Sequence, residues 1–341
     1  MKQLFFEREL AGESALTRPT AARLCALAVE VGKAAPWRTA EETDLVLVSD
    51  DNGQVHAVSV MGNLGEFRAV AVYVGPVGYR FFELMHIHEE APDMDVFVGY
   101  QHSVRVEFAA KSALGKEDRE LLKEVAPEVL KGRGTMPVFR TVRPGYLEWF
   151  ITEEEGRLLA LGLDSLLAML SQGGIPISDG PPYPLVTWKD GVAVIASGQP
   201  PRTAETVGMP AIDEDRVRKI RAAYKKSNSS VTVDHFYSPT PIGQRDERKM
   251  AMRTTVALDG KTGMALAPKV SGPTERTEDL LADTLLTAIE QLGRIPAVTV
   301  VRKDEYARML QSLASKLGTR IDVQHRIALL EELKEMMRSG M

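Results

Sequence analysis

Hydrophobic and polar positions follow two different rhythms in the two halves of the chain. From Pro19 to Lys33 the apolar residues of PTAARLCALAVEVGK recur at helical spacing, which predicts an amphipathic helix ending before Ala35-Pro36-Trp37. Three β-rich runs follow in DLVLVSDDNGQVHAVSVMGNLGEFRAVAVYVG, and Asp51-Asn52-Gly53 has the residue types of a tight hairpin turn, so an antiparallel meander is expected. A helix is expected through Tyr79 to Leu84, a strand at SVRVEF, a helix in GKEDRELLKEVAPEVL and an extended aromatic segment in PVFRTVRPGYLEWFI. Thr152 and Glu155 then stand at capping-box spacing ahead of a leucine-rich helical run. The N-terminal half therefore reads as an α+β domain.

In the second half, YPLVTWKDGVAVIASGQP reads as two short strands around Lys189-Asp190-Gly191, and DEDRVRKIRAAYKK as a short helix. From Ser230 the pattern becomes β, β, β, α, β, α, β, α. The strands are SVTVDHFY, KMAMRTTVAL, MALAPKV, PAVTVV and TRIDV; the helices are 275–292, DEYARMLQSLASKLG and IALLEELKEMMRSG. This order predicts an α/β C-terminal domain.

Charge supports a division into two domains. Residues 1–184 hold 18 Lys and Arg against 27 Asp and Glu, whereas 185–341 hold 24 against 20, so one half is acidic and the other mildly basic. The glycine- and proline-rich stretch SQGGIPISDGPPYP suggests the boundary, with domains at 1–172 and 185–341. No apolar run reaches the roughly 18 residues of a membrane helix, and the start MKQLFFEREL has charges where a signal peptide is apolar. A cytoplasmic protein with no membrane partner is expected. Its single Cys25 fits a buried position in the first helix.

The stretches SVMGNLGEFRAVAVYVG, GKEDRELLKE and PVFRTVRPGYLEWFITEEEG resemble an uncharacterised bacterial two-domain family, in which both domains are of unknown function. That resemblance implies the two-domain layout and no particular chemistry. Its motifs have structural explanations: Gly62, Gly65, Gly75 and Gly145 suit turns, and Pro144-Gly145-Tyr146 with Trp149 suits aromatic packing. The order of elements after Ser230 resembles the ribonuclease H-like fold of integrases and several nucleases.

The ribonuclease H-like resemblance implies a specific set of side chains. Such enzymes hold two divalent ions with carboxylates in the middle of the first strand, at the end of the fourth and on a late helix, and the ions stabilise both oxygens of a phosphodiester transfer. Asp234 occupies the first of these positions. The end of the fourth strand reads Val300-Val301-Arg302-Lys303-Asp304, with two cations where the second carboxylate belongs. Asp304 suits a helix N-cap, Asp259 a hairpin turn, and Glu331 or Glu332 a solvated helix face. The expectation is therefore a non-catalytic binding or interaction protein with an unidentified protein partner and no cofactor. The alternative is an Mg²⁺- or Mn²⁺-dependent nuclease or phosphodiesterase using Asp234 with Asp259, Asp304 and Glu331.

Two further features raise the question of binding. Arg216, Arg218, Lys219, Arg221, Lys225 and Lys226 form a basic stretch on and after the short helix, able to neutralise phosphates or merely to face solvent, so Arg218, Arg221, Lys225 and Lys226 are nucleic-acid-binding candidates. In FFELMHIHEEAPDMD, His86 and His88 would share one face of a strand and could share a metal; on a helix they would point about 200° apart and could not. The chain contains no phosphate-binding GxxxxGK[ST] loop, no GxSxG, no CxxC and no HExxH.

Overall fold

A computed structural model describes residues 13–65, 67–87, 93–202, 207–244 and 247–339. The chain forms two compact units, residues 1–203 with 243–249, and residues 204–242 with 250–341. Each contains helices packed on a mixed sheet.

The first unit is built on seven strands in the order β5-β4-β3-β2-β1-β6-β7. They are β1 (Val46–Ser49), β2 (Val55–Met61), β3 (Ala69–Tyr73), β4 (Ser103–Ala109), β5 (Met136–Val142), β6 (Tyr183–Lys189) and β7 (Val192–Gly198). Strands β1 to β3 make the antiparallel meander expected from the sequence, and β4 and β5 continue the sheet antiparallel. At the first turn Asp50 Oδ1 accepts from the Asn52 and Gln54 amides, and Gly53 takes φ 76°. Gly62, Gly65, Gly75 and Gly145 also have positive φ, so these four motif glycines occupy conformations that other residues rarely adopt.

Both faces of the sheet are covered at β1 to β3, and the two-residue period of each strand sorts its side chains between them. Val46, Val58, Val70 and Val104 face α1 (Arg18–Ala34), α4 (Lys116–Val125) and α6 (Glu153–Ser171). Leu47, Ala57, Ala71 and Tyr73 face the aromatic cluster of α2 (Gly75–Ile87) and α3 (Met94–Tyr100). The expected single helix after Ser112 is broken at Ala126, giving α4 and the short α5 (Pro127–Lys131), because Pro127 lacks the amide that would continue the ladder. Cys25 is buried on α1, and burial pushes its thiol up to about 12.

Strands β6 and β7 correct the expected boundary. Residues 183–198 belong to the first sheet, where β6 pairs parallel with β1 and β7 pairs antiparallel with β6. Helix α6 crosses the sheet and delivers the chain to the free side of β1, where β6 and β7 add. The glycine- and proline-rich stretch is therefore an internal connection, and the first unit continues to residue 203.

The second unit begins with α7 (Glu214–Ala223), which precedes a five-stranded sheet in the order β10-β9-β8-β11-β12. Along the chain these are β8 (Lys226–Ile242), β9 (Met250–Asp259), β10 (Ala265–Ser271), α8 (Thr277–Leu292), β11 (Ile295–Val301), α9 (Asp304–Leu317), β12 (Arg320–Val323) and α10 (Ala328–Ser339). The expected alternation is present in full. Strands β8, β11 and β12 run parallel, and β9 runs antiparallel to both β8 and β10. Val231 and Val233 point into a core with α7, α8 and α9. The intervening positions face α10, where Phe236, Val256 and Val300 meet Ile327 and Leu330. Among the described residues of both units, no helix is long and apolar enough to cross a membrane.

Close packing explains two glycines inside α6, where glycine costs about 1 kcal/mol relative to alanine. A Cβ on Gly156 would lie 2.7 Å from Leu16 Cδ1, and one on Gly162 would lie 2.5 Å from Val72 Cγ2. Their absence lets α6 sit between α1 and the sheet. Gly162→Val is expected to destabilise the protein by about 1–3 kcal/mol through overpacking, read as a lower urea midpoint. An unchanged midpoint would mean that α6 moves away from the sheet at no cost.

Candidate functional site

Strand parity places Asp234 at the centre of the second unit. It lies mid-β8 opposite Val256, on the α10 face of the sheet, and is 0% exposed. Along parallel β11, Val300 pairs with Thr232, so Arg302, two residues further on, comes level with Asp234 on the same face. The side chains meet there: Arg302 Nε donates to Asp234 Oδ2 at 2.9 Å, and Arg302 Nη2 lies 3.4 Å from the His235 carbonyl oxygen. Arg302 is itself buried. His235 points to the opposite face, where its Nδ1 lies 2.6 Å from the Tyr306 hydroxyl of α9.

The other three carboxylates of the nuclease reading do not join Asp234. Asp259 pairs in register with Val231, an odd number of positions from Asp234, and so projects to the other face of the sheet. There its carboxylate accepts from Thr262 Oγ1 at 2.8 Å and Arg294 Nη2 at 3.0 Å, which ties it to the β9–β10 turn. Asp304 is exposed and is the first residue of α9, and the N-cap position expected for it belongs to Lys303. Glu331 is exposed on α10 and pairs with Lys334 at 3.1 Å. Lys334 also lies 5.4 Å above the Phe236 ring, which adds a second cation to the face that bears Asp234.

These residues do not fit a divalent metal pair. Two-metal catalysis needs several carboxylates around one point, and here the Asp234 carboxylate is already bonded to a guanidinium. A metal ion at Asp234 would have to displace a permanent cation from a buried pair. Among the described residues, no group of three or more His, Cys, Asp or Glu is arranged to hold a metal ion.

The histidine stretch is helical as far as it is described. His86 lies in the last turn of α2, its Nδ1 donating to the Phe82 carbonyl at 2.8 Å and its Nε2 lying 3.7 Å from Glu42. The hydrogen bond to Glu42 raises its pKa against a smaller effect of burial. His86 thus makes local contacts through both ring nitrogens, which corrects the strand geometry required for metal sharing; His88 lies outside the described residues.

The basic stretch is only partly available. Arg216 is clamped to α8, its guanidinium bonding Glu290 at 2.8 Å, Asp283 at 2.7 Å and Thr287 at 2.8 Å. Arg218 pairs with Asp215 on the surface of α7, and Arg221, Lys225 and Lys226 are exposed. Surface pairs of this kind are weak, so Arg218 can exchange its partner for a phosphate at little cost.

The first unit contains a charged cluster with no local sequence signal beyond the capping box. Glu155 fills its expected cap role by accepting from the Thr152 amide at 2.8 Å, and it also accepts from Thr141 Oγ1 at 2.8 Å, Arg143 Nε at 2.7 Å and Arg248 Nη2 at 3.3 Å. Glu13 contacts both arginines. Burial pushes the Glu155 carboxyl up, but the Arg248 and Arg143 charges with the hydrogen bonds from Thr152 and Thr141 hold the group below its usual range. Nearby His102 is lowered to about 4, first by burial and then by the Arg143 charge. The buried His56 accepts the Gly75 amide at Nδ1, 3.1 Å away, which leaves the proton on Nε2 facing Asp50.

Two outcomes test this electrostatic description. Arg302→Ala leaves the Asp234 carboxylate buried beside a missing partner and is expected to cost about 3–5 kcal/mol, seen as a lower urea midpoint; a loss below about 1 kcal/mol would show that water solvates the pair. His102 binds its proton in the unfolded chain near pH 6.5 but in the folded one only near 4, so stability is full above pH 6.5 and declines as pH falls through that window. His102→Gln is expected to flatten the decline by about 2–3 kcal/mol in urea titrations between these pH values, and parallel curves for the two proteins would remove His102 from the cause.

No curated protein matches the chain. Among solved structures, it is similar to the HTLV-2 integrase catalytic core domain in complex with magnesium, at 16% identity over 33% of this chain and 70% of that one, with a TM-score of 0.25. It is also similar to a chain of the simian T-cell lymphotropic virus intasome in complex with PP2A regulatory subunit B56 gamma, at 16% identity over 33% of this chain and 40% of that one, with a TM-score of 0.25. Two family models divide this sequence between them: the chain is a two-domain protein that matches a domain of unknown function (DUF7309) over residues 22–173 and a second domain of unknown function (DUF6930) over residues 216–338.

Proposed function

We propose that this is a non-catalytic binding or interaction protein, whose second unit is a ribonuclease H-like scaffold without a working metal site. The fold part of the proposal is supported by the order β, β, β, α, β, α, β, α and by a sheet in which β8 lies between antiparallel β9 and parallel β11. The functional part rests on one observation, the buried ion pair between Asp234 and Arg302. An arginine cannot surrender its charge at any physiological pH, so the pair neutralises the one carboxylate placed where a catalytic one would be. Function belongs to the site and not to the fold, and a scaffold of this type can present a surface without doing chemistry.

The competing reading is a nuclease or phosphodiesterase that uses Mg²⁺ or Mn²⁺, with Arg218, Arg221, Lys225 and Lys226 steering the substrate. The deciding experiment is cleavage of single- and double-stranded DNA and RNA with either ion, comparing wild type with Asp234→Asn. The expected result is no cleavage by either protein. Cleavage by wild type that is lost in a folded Asp234→Asn variant would overturn the proposal. Binding of the same nucleic acids, measured without added metal, would separately tell whether a nucleic acid is a partner: a loss of affinity in Arg221→Ala/Lys225→Ala, steep in salt, would place it on the basic stretch.

A further inference from the structure

A β-sheet edge presents unpaired amides and carbonyls to any strand that approaches, and natural edges carry features that discourage this. Three of the four sheet edges described in this protein carry such features. The outer side of β5 is engaged by Trp149, which exchanges both backbone hydrogen bonds with Thr141 at 2.9 Å. Strand β10 is interrupted by an irregularity between Leu266 and Lys269, with Ala267 at φ 47° and Pro268 beside it. Strand β12 is only four residues long and carries Arg320 and Asp322.

Among the described residues, strand β7 has none of these features. Its sequence, VAVIASG, contains no charge and no proline, and all seven residues pair with β6 without a register shift. It is the terminal strand of its sheet. Val192 and Val194 lie on one face and are 64% and 42% exposed, on a strand whose other face packs Ala193 and Ile195 against the core.

We propose that β7 is a homodimerisation edge, at which two copies of this chain add antiparallel to one another and extend the sheet across a two-fold axis. The occupant follows from the composition of the strand. Because β7 is neutral, a second antiparallel copy opposes no like charges, whereas a charged strand would repel itself. A two-fold axis at Val194 sets Val192 opposite Ala196 and Ala193 opposite Ile195, so apolar residues meet on both faces. The charged turn residues Lys189 and Asp190 then fall opposite Gln199 and Gly198, which carry no charge. The contact is isologous and closes after two copies. No charged residue on β7 would select a partner of opposite charge.

A strand addition over five residues of β7 is a small interface, so the dimer is expected to be weak, with dissociation in roughly the micromolar range. Sedimentation velocity over roughly 1–500 µM protein tests this directly. The expected result is a concentration-dependent doubling of mass for wild type and a shift of at least about tenfold towards monomer for Val194→Lys, since an inserted lysine is how natural edges block pairing. Val192→Lys, at the more exposed position, checks that the shift does not come from misfolding, with both variants keeping the wild-type melting temperature. Amide exchange on wild type alone provides a second readout: outward amides of β7 should slow as concentration rises. A wild-type protein that is monomeric throughout, a dimer insensitive to both lysines, or β7 amides that exchange at the same rate at all concentrations would overturn the proposal.

Discussion

The buried contact between Arg302 and Asp234 organises the second unit, because it joins the two parallel strands at the centre of the sheet, β8 and β11, in one register. Both charges are almost wholly removed from water, and neither would be tolerated there alone. Placing one without the other would leave an uncompensated charge under α10 and favour local opening. With both present, the α10 face can close over Phe236, Val256 and Val300. The same contact holds the Asp234 carboxylate in an ion pair with a side chain that stays charged.

The first unit solves a similar problem with the Glu155 cluster. There a helix cap has become the meeting point of three distant side chains, Thr141, Arg143 and Arg248. Burial opposes ionisation of Glu155, and the two arginines together with the Thr152 and Thr141 hydrogen bonds reverse that tendency. The cluster connects the start of α6 to the end of β5 and to the 243–249 segment. In each unit, then, buried charge is tolerated because it specifies which elements stand side by side, while the apolar faces supply most of the favourable free energy.

The elements themselves were legible in the sequence where periodicity was strong. The meander, the turn at Asp51-Asn52-Gly53, the capping box of α6 and the alternation of strands and helices after Ser230 all follow from short-range pattern and turn chemistry. The helix at GKEDRELLKEVAPEVL was legible too, except that Pro127 interrupts it. So was the cation at the end of β11, which is visible as Val301-Arg302-Lys303 in the sequence.

Long-range pairing was not legible. Strands 183–198 have the same local character whichever sheet they join, and only the path of α6 places β6 beside β1. Arg248 has no sequence signal linking it to Glu155, because the two lie 93 positions apart. Arg216 looked like one more solvated cation of α7 until α8 brought Glu290 and Asp283 against it. Local sequence by itself determined which segments would be helix or strand, since that depends on neighbours within a few residues. Only the tertiary structure decided which strands are adjacent and which charges meet, because those depend on how whole apolar faces pack and on which side of a strand each residue falls.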